Sequence, residues 1–181
     1  MKFLTLAECS HWLDQHQFQV EHPDVSKSKE GFVYLTSESP IQTLSVPEDS
    51  WGRLLFSNDL RNVIGSREVL LWITSWALYD PEEMEIFNDF RRTYGETRRL
   101  IDVPAQLIDT RQDQDAWTLL QLLHLMFIFN WEGFVLGADR QCEIRLADEI
   151  VEVHTVPPDQ SVSINKMTEK WDELPSQSVS Y

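Results

Sequence analysis

Four arginines lie within nine residues of a chain that is strongly acidic. The stretch "FRRTYGETRR" contains Arg91, Arg92, Arg98 and Arg99, and residues 91 to 99 carry a charge of +3, whereas the whole chain carries −15. Guanidinium groups form forked hydrogen bonds to carboxylates and phosphates. The cluster therefore predicts either a binding site for an anion or a set of ion pairs within the protein.

The helix predicted just before this cluster favours ion pairs within the protein. Arg91 and Arg92 fall in its last turn, where cations meet the negative end of the helix dipole. Acids on the same helix pair with arginines at i,i+3 or i,i+4 spacing. We therefore expect the acids of this helix to neutralise the arginines. Those acids are Asp80, Glu82, Glu83, Glu85 and Asp89.

The segment "FNWEGFVLG" offers a second place for chemistry. Trp131 and Glu132 join a buried helix to a hairpin, where an aromatic ring and a carboxylate could line a groove. The alternative is a structural tryptophan that covers the helix end, since large aromatics usually serve packing. If the groove also includes the arginine cluster, the chain is a small hydrolase or another enzyme that binds a ligand.

Other catalytic patterns are missing from the sequence. It has no HExxH or CxxC spacing for zinc, no GxSxG elbow and no glycine-rich phosphate loop. The two cysteines, Cys9 and Cys142, are far apart and predict reduced thiols in a cytoplasmic protein. We expect no metal and no cofactor.

The charge narrows the choice of partners. A chain of net charge −15 is unsuited to nucleic acid or to anionic membranes, both of which attract basic surfaces. A strongly acidic surface speeds the capture of a basic protein. The leading hypothesis is thus a non-enzymatic protein-binding module, such as an immunity-type inhibitor of a basic toxin. Its contact residues would be Asp80, Glu82, Glu83 and Glu85.

The elements that position these residues follow from local signals. Thr5 and Glu8 form a capping-box pattern at the start of a helix, and Pro81 begins the acidic one. "EVLLWITSWAL" is apolar on both faces and predicts a buried central strand. A helix over the middle of "SVPEDSWGRLLFSNDLRNVIG" that stops at Gly65, a helix at about 115–130 and a C-terminal hairpin complete the pattern. "PAQLIDTRQDQD" is interpreted as loop. The sequence predicts an α+β fold with a small mixed sheet and helices packed against it.

The last segment is predicted to lie outside the globular domain, which spans residues 1–155. Residues 156–181 are rich in serine and proline and form a flexible tail. Within it, four apolar residues recur at helical spacing and predict a short amphipathic helix; they are Ile164, Met167, Trp171 and Leu174. Trp171 would anchor this helix to its own domain, to another protein, or to a second copy in a homodimer.

A resemblance joins several of these motifs. Several motifs occur in a fixed order: the capping box with Trp12, then "WITSW", "RRTYG", "FNWEGFVL" and "ADEIVEV". Together they resemble an uncharacterised family of small acidic bacterial proteins that carry no assigned activity. The resemblance covers residues 5–154 and implies a bacterial cytoplasmic origin. The family pattern has a Ser-His pair before Asp-Glu in its last strand. Here Leu146 and Ala147 stand in those places, so chemistry that depends on that histidine is in doubt.

Overall fold

An antiparallel sheet of seven strands with helices on both faces forms the body of the protein. A separate ribbon of two strands accompanies it. The architecture confirms the predicted α+β class. A computed structural model describes residues 1–21, 32–34, 40–76, 81–147 and 149–172.

The ends of the helices follow the capping signals in the sequence. At the first helix, the Thr5 hydroxyl accepts a hydrogen bond from the Glu8 amide, and the Glu8 carboxylate accepts one from the Thr5 amide. The helix that starts at Pro81 ends just before Gly95, whose φ of +74° favours glycine. The described residues contain five α-helices: α1 (Leu6–Gln15), α2 (Ser50–Val63), α3 (Pro81–Thr93), α4 (Asp113–Ile128) and α5 (Ser161–Asp172).

Every pair of neighbouring strands in the described sheet is antiparallel, where the sequence predicted a mixed sheet. The strands are β1 (Lys2–Leu4), β2 (Gln19–Glu21), β3 (Phe32–Tyr34), β4 (Gln42–Ser45), β5 (Glu68–Ser75), β6 (Ala105–Asp109), β7 (Glu132–Gly137), β8 (Glu143–Ala147) and β9 (Ile150–Thr155). The order across the large sheet is β1-β6-β5-β7-β8-β9-β4, and β2 pairs with β3 in the ribbon.

Strand β5 is buried on both faces, as its apolar sequence predicts. Successive side chains of a strand point to opposite faces. Leu71 and Ile73 therefore enter the core beneath α2, α3, α4 and α5. Leu70 and Trp72 enter a smaller core beneath α1. The sheet thus separates one large apolar core from one small core.

Two parts of the sheet differ from the prediction. The segment interpreted as loop contains β6, because Ala105 pairs with Leu4 on one side and with Trp72 on the other. The second arm of the predicted C-terminal hairpin, "CEIRLADEIVEVHT", is not one strand but two, β8 and β9. A turn at Glu149, with φ of +64°, divides the two strands.

The packed core extends past residue 155, which was the predicted end of the globular domain. The amphipathic helix predicted in the tail is present as α5 and docks on its own domain. Its Ile164 and Met167 are 4% and 3% exposed and join the large core, because their apolar side chains lie on the face turned toward the sheet. Residues 173–181 lie outside the described residues.

Candidate functional site

A cleft of about 540 Å³ opens beside the C-terminal end of α3. Its volume lies within the range of small-molecule sites. The walls come from α3, from the loop that follows α3, and from the residue after β5. They comprise Trp76, Met84, Asn88, Arg91, Arg92, Glu96, Thr97, Arg98, Arg99 and Leu100. All four arginines of the predicted cluster therefore line one cleft.

The local sequence explains how α3 and its loop build this cleft. Met84, Asn88 and Arg91 are spaced at i, i+4 and i+7, so they share one face of the helix. Gly95 then takes a left-handed conformation, and the chain turns back toward α3. The turn brings residues 96–100 opposite that helical face.

An irregularity in β5 places an aromatic ring in the cleft. Ile73 pairs with Gly133 and Ser75 pairs with Glu132, so Thr74 is an extra residue in the ladder. Bulges of this kind redirect the side chains that follow them. Trp76, just beyond the bulge, lines the cleft.

Arg91 is the buried cation of the cleft. Only 3% of the residue is exposed. Its Nη1 donates to Asn88 Oδ1 at 2.9 Å, and its Nη2 donates to the carbonyl oxygen of Arg98. Its Nε is buried and has no hydrogen-bond partner within the described part of the chain. Among the residues that the structure describes, no carboxylate lies at ion-pair distance from this guanidinium.

The other three arginines each have a carboxylate partner. Internal pairing was expected for the whole cluster, and it holds for these three. Acids of α3 serve only one of them, whereas the other two use acids in the following loop. The pairs are Arg92 with Glu85 at 2.9 Å and with Asp89, Arg98 with Glu96 at 2.6 Å, and Arg99 with Asp102 at 2.9 Å.

The charges in the cleft act on one another. Burial lowers the pKa of Arg91 from its ordinary value, and the negative charge of Glu96 opposes this shift. Arginine nevertheless stays protonated in proteins. The hydrogen bonds from Arg98 hold the pKa of Glu96 below its usual range, so Glu96 is ionised at neutral pH. The cleft therefore contains one buried positive charge whose own bonds go to neutral oxygens.

Trp131 and Glu132 do not line the cleft with the arginines. Trp131 is 3% exposed and packs behind Trp76, with 4.8 Å between the ring centroids. Glu132 begins β7 opposite Ser75. Trp131 thus supports the wall from the core side, in agreement with the structural alternative.

The acids predicted to meet a basic partner are described only in part. Asp80 and the side chains of Glu82 and Glu83 lie outside the described residues. Glu85 is exposed, and its carboxylate is paired with Arg92. The proposed contact surface at residues 80–85 therefore stays a prediction.

Trp171, the predicted anchor for a partner, contacts its own domain. Its ring packs edge-on against Phe56 with 5.4 Å between centroids. Its Nε1 donates to Asp59 Oδ2 at 3.2 Å, and Lys170 donates to the same oxygen. These contacts hold α5 against α2, so this ring is already engaged within the chain.

The two cysteines lie in the interior of the protein. Cys9 and Cys142 are fully buried, and burial raises the pKa of Cys9 to about 12 and also raises the pKa of Cys142. No group of three or more His, Cys, Asp or Glu within the described ranges could hold a metal ion. In the part of the chain that the structure describes, no helix is both long and apolar enough to span a bilayer.

Comparisons with known proteins identify no relative: no family model, no curated protein and no solved structure matches this chain. The resemblance to small bacterial proteins therefore stays a prediction.

Sequence reasoning missed six lining residues of the cleft. The helical spacing of Met84 and Asn88 before Arg91 was the signal that could have identified two of them. No local pattern marks Trp76, whose position depends on the bulge in β5. The missed residues are Trp76, Met84, Asn88, Glu96, Thr97 and Leu100.

Proposed function

We propose that this chain is a binding protein whose cleft beside α3 holds an anionic group of a small ligand through Arg91. The observation that carries the proposal is the environment of this side chain. Arg91 lines the cleft and is 3% exposed, yet its two hydrogen bonds go to an amide oxygen and a backbone carbonyl.

The physical argument concerns the cost of burying a charge. A buried cation is stable when it is paired or well hydrogen-bonded. A guanidinium has five N–H donors in a planar fork, and two of them are engaged here. An anion in the cleft would supply both the missing charge and the missing acceptors.

Comparison with the neighbouring arginines indicates why Arg91, rather than one of them, is proposed to bind the anion. Arg92, Arg98 and Arg99 each form an ion pair with their own carboxylate, so their charge is already balanced. They are also exposed, where ion pairs contribute little and are screened by salt. Arg91 is therefore the one arginine of the four that has no carboxylate at ion-pair distance among the described residues.

The proposed activity is binding without catalysis. Among the described residues, the ionisable groups of the lining are the four arginines and Glu96. Arg98 donates to both carboxylate oxygens of Glu96, at 2.6 Å to the nearer contact. Held in this way, Glu96 is a weak proton acceptor for a general-base role.

Titration of the full chain with simple anions tests the proposal. Acetate, octanoate and inorganic phosphate would be added while the backbone ¹H–¹⁵N signals of residues 96–100, which line the cleft, are followed in every variant, together with the Arg91 Nε–H signal where Arg91 is present. We expect a saturable shift with at least one anion. Arg91→Gln should abolish binding, whereas Arg145→Gln, which removes one exposed arginine on β8, should leave it intact. Absence of any shift in the wild-type chain, or equal binding by Arg91→Gln, would contradict the proposal.

A second candidate is the acidic protein-binding module, such as an immunity-type inhibitor. Two tryptophans support it, since exposed tryptophans are frequent at protein contacts. Trp51 is 67% exposed and Trp117 is 59% exposed. Glu48 and Asp113 lie near them in sequence, and neither has a cation at ion-pair distance among the described residues.

A purified partner would test this second candidate. After co-purification from the native cell, affinity would be measured at low and high salt, and again with Glu48→Lys and Trp117→Ala. Electrostatic capture predicts a loss of affinity in high salt and in Glu48→Lys, and a contact through the exposed tryptophan predicts a loss in Trp117→Ala. An affinity that none of these changes alters would exclude it.

A further inference from the structure

Building on the proposed function, we infer that the ligand is a carboxylate with a single negative charge on an apolar body, and that Glu96 disfavours head groups of higher charge. The inference adds the chemical class of the ligand to the anion site. It depends on the charge balance of the lining, on its apolar part, and on the position of Glu96.

The pairing of the arginines favours a ligand with one negative charge. Three of the four arginines already have carboxylate partners, whereas Arg91 has none among the described residues. A single anionic head group would pair with Arg91. A second negative charge would meet no further unpaired arginine in the described lining, and in a partly buried site an unpaired charge is costly.

The remainder of the lining specifies an apolar body. Trp76, Met84 and Leu100 lie in the same walls as Arg91. Met84 is 40% exposed, so a ligand that covered its thioether would remove apolar surface from water. A methionine beside an aromatic ring adapts to ligands of different shape. Together these residues form a surface that an alkyl or aryl group could cover.

Glu96 is the residue expected to disfavour ligand head groups that carry more than one negative charge. The residue is 8% exposed and lines the cleft. It acts electrostatically on Arg91, and the bonds from Arg98 keep it ionised. Arg98 offsets only part of this negative charge near Arg91, because its side chain is exposed to water whereas the Glu96 carboxylate is buried. A head group bound at Arg91 would therefore still lie close to a negative charge. Like charges in such a site discriminate between ligands by repulsion.

A chain-length series tests the apolar body. Acetate, butyrate, hexanoate and octanoate would be titrated into the full chain, with the Arg91 Nε–H signal as the readout. Each methylene that becomes buried should tighten binding by up to about fourfold, since burial of one CH₂ is worth about 0.8 kcal/mol. The affinity of phenylpropanoate, compared with that of the alkyl carboxylates, then shows whether the cleft prefers an aryl or an alkyl body. Octanol, which has no charge, should bind at least about tenfold more weakly than octanoate.

A matched pair of head groups tests the role of Glu96. Octyl phosphate at pH 8 carries two negative charges, and its alkyl tail is one methylene longer than that of octanoate, so apolar burial alone would make it bind more tightly. We expect it to bind at least about tenfold more weakly, and we expect Glu96→Gln to reduce that difference. If Glu96→Gln does not fold, the affinities of octyl phosphate and octanoate for the wild-type chain still test the selection against a second negative charge.

The possible results separate this inference from the proposed function. Shifts of the Arg91 signal that do not depend on tail length would overturn the apolar body and leave anion binding intact. Octyl phosphate that binds as tightly as octanoate would overturn the selection by Glu96. Absence of any shift with all these probes would overturn the inference together with the proposed function.

Discussion

The guanidinium of Arg91 donates a hydrogen bond to the backbone carbonyl oxygen of Arg98. This bond ties the loop after α3 to the last turn of the helix. Arg91 therefore has a structural contact as well as a position in the cleft. Any change that moves the loop should alter the cleft and the stability of this region together.

Gly95 allows that loop to turn, so its substitution should weaken folding. Its φ of +74° is unfavourable for residues with a Cβ, but an added Cβ would meet no atom within 4 Å. Gly95→Ala should therefore cost about 1 kcal/mol of unfolding free energy through backbone strain alone. Gly95→Asn should cost less, because asparagine tolerates this conformation better. Urea unfolding would measure both; equal stability of Gly95→Ala and wild type would contradict the account.

Helix α5 should contribute to global stability. Met167 is 3% exposed in the large core, whereas Val162 on the same helix is 61% exposed. Met167→Ala should lower the unfolding free energy by about 2–5 kcal/mol, since it removes buried groups and leaves a cavity. Val162→Ala is the matched control and should change it by less than about 0.5 kcal/mol. Similar losses in the two variants would mean that α5 does not pack as described.

The capping box at α1 should give a pH-dependent contribution to stability. Hydrogen bonds from Thr5, together with Lys2, lower the pKa of Glu8 to about 2. Stabilisation by the ionised form is therefore complete above about pH 4.5 and is lost as the pH falls toward 2.

Glu8→Gln tests this dependence, because glutamine keeps an acceptor for the cap but carries no charge. The wild type should be more stable at pH 7 by no more than about 1 kcal/mol, since the pair with Lys2 is exposed to water. Thermal unfolding between pH 7 and pH 3 should show this difference shrinking below pH 4.5. A difference that is constant with pH would contradict the prediction.

The two thiols should be inert in the native protein. Cys9 and Cys142 are both fully buried, and burial raises the pKa of each. Reaction with a chromogenic disulfide at pH 8 should be slow in buffer and complete for both thiols in denaturant. Rapid reaction of either thiol in buffer would show that its region opens easily.

Elements with a strong local signal were predictable from the sequence. The capping box at Thr5, Pro81 at the start of α3 and the apolar run of β5 each depend on neighbouring residues, and all three are present. Strands β1 and β6 were missed because each is short and is defined by pairing between residues about 100 positions apart. Such pairing leaves no local pattern.

In the arginine cluster too, a contact set by local spacing was predictable from the sequence, whereas contacts set by the tertiary fold were not. Helical spacing correctly predicted an ion pair between Arg92 and an acid of α3. The partners of Arg98 and Arg99 depend on the turn at Gly95, so spacing along the helix could not reveal them. The burial of Arg91 depends on packing against Phe3, whose ring centroid lies 5.8 Å from the guanidinium carbon.

The strand order has a consequence for how the chain is made. Strands β1 and β4, which form the two edges of the large sheet, both come from the first 45 residues. Their partners, β6 and β9, leave the ribosome only after residues 109 and 155 have been synthesised. Because contacts between distant segments form slowly, these two early segments stay unpaired until β6 and β9 have been synthesised. The strand order therefore delays completion of the large sheet until β9 is available.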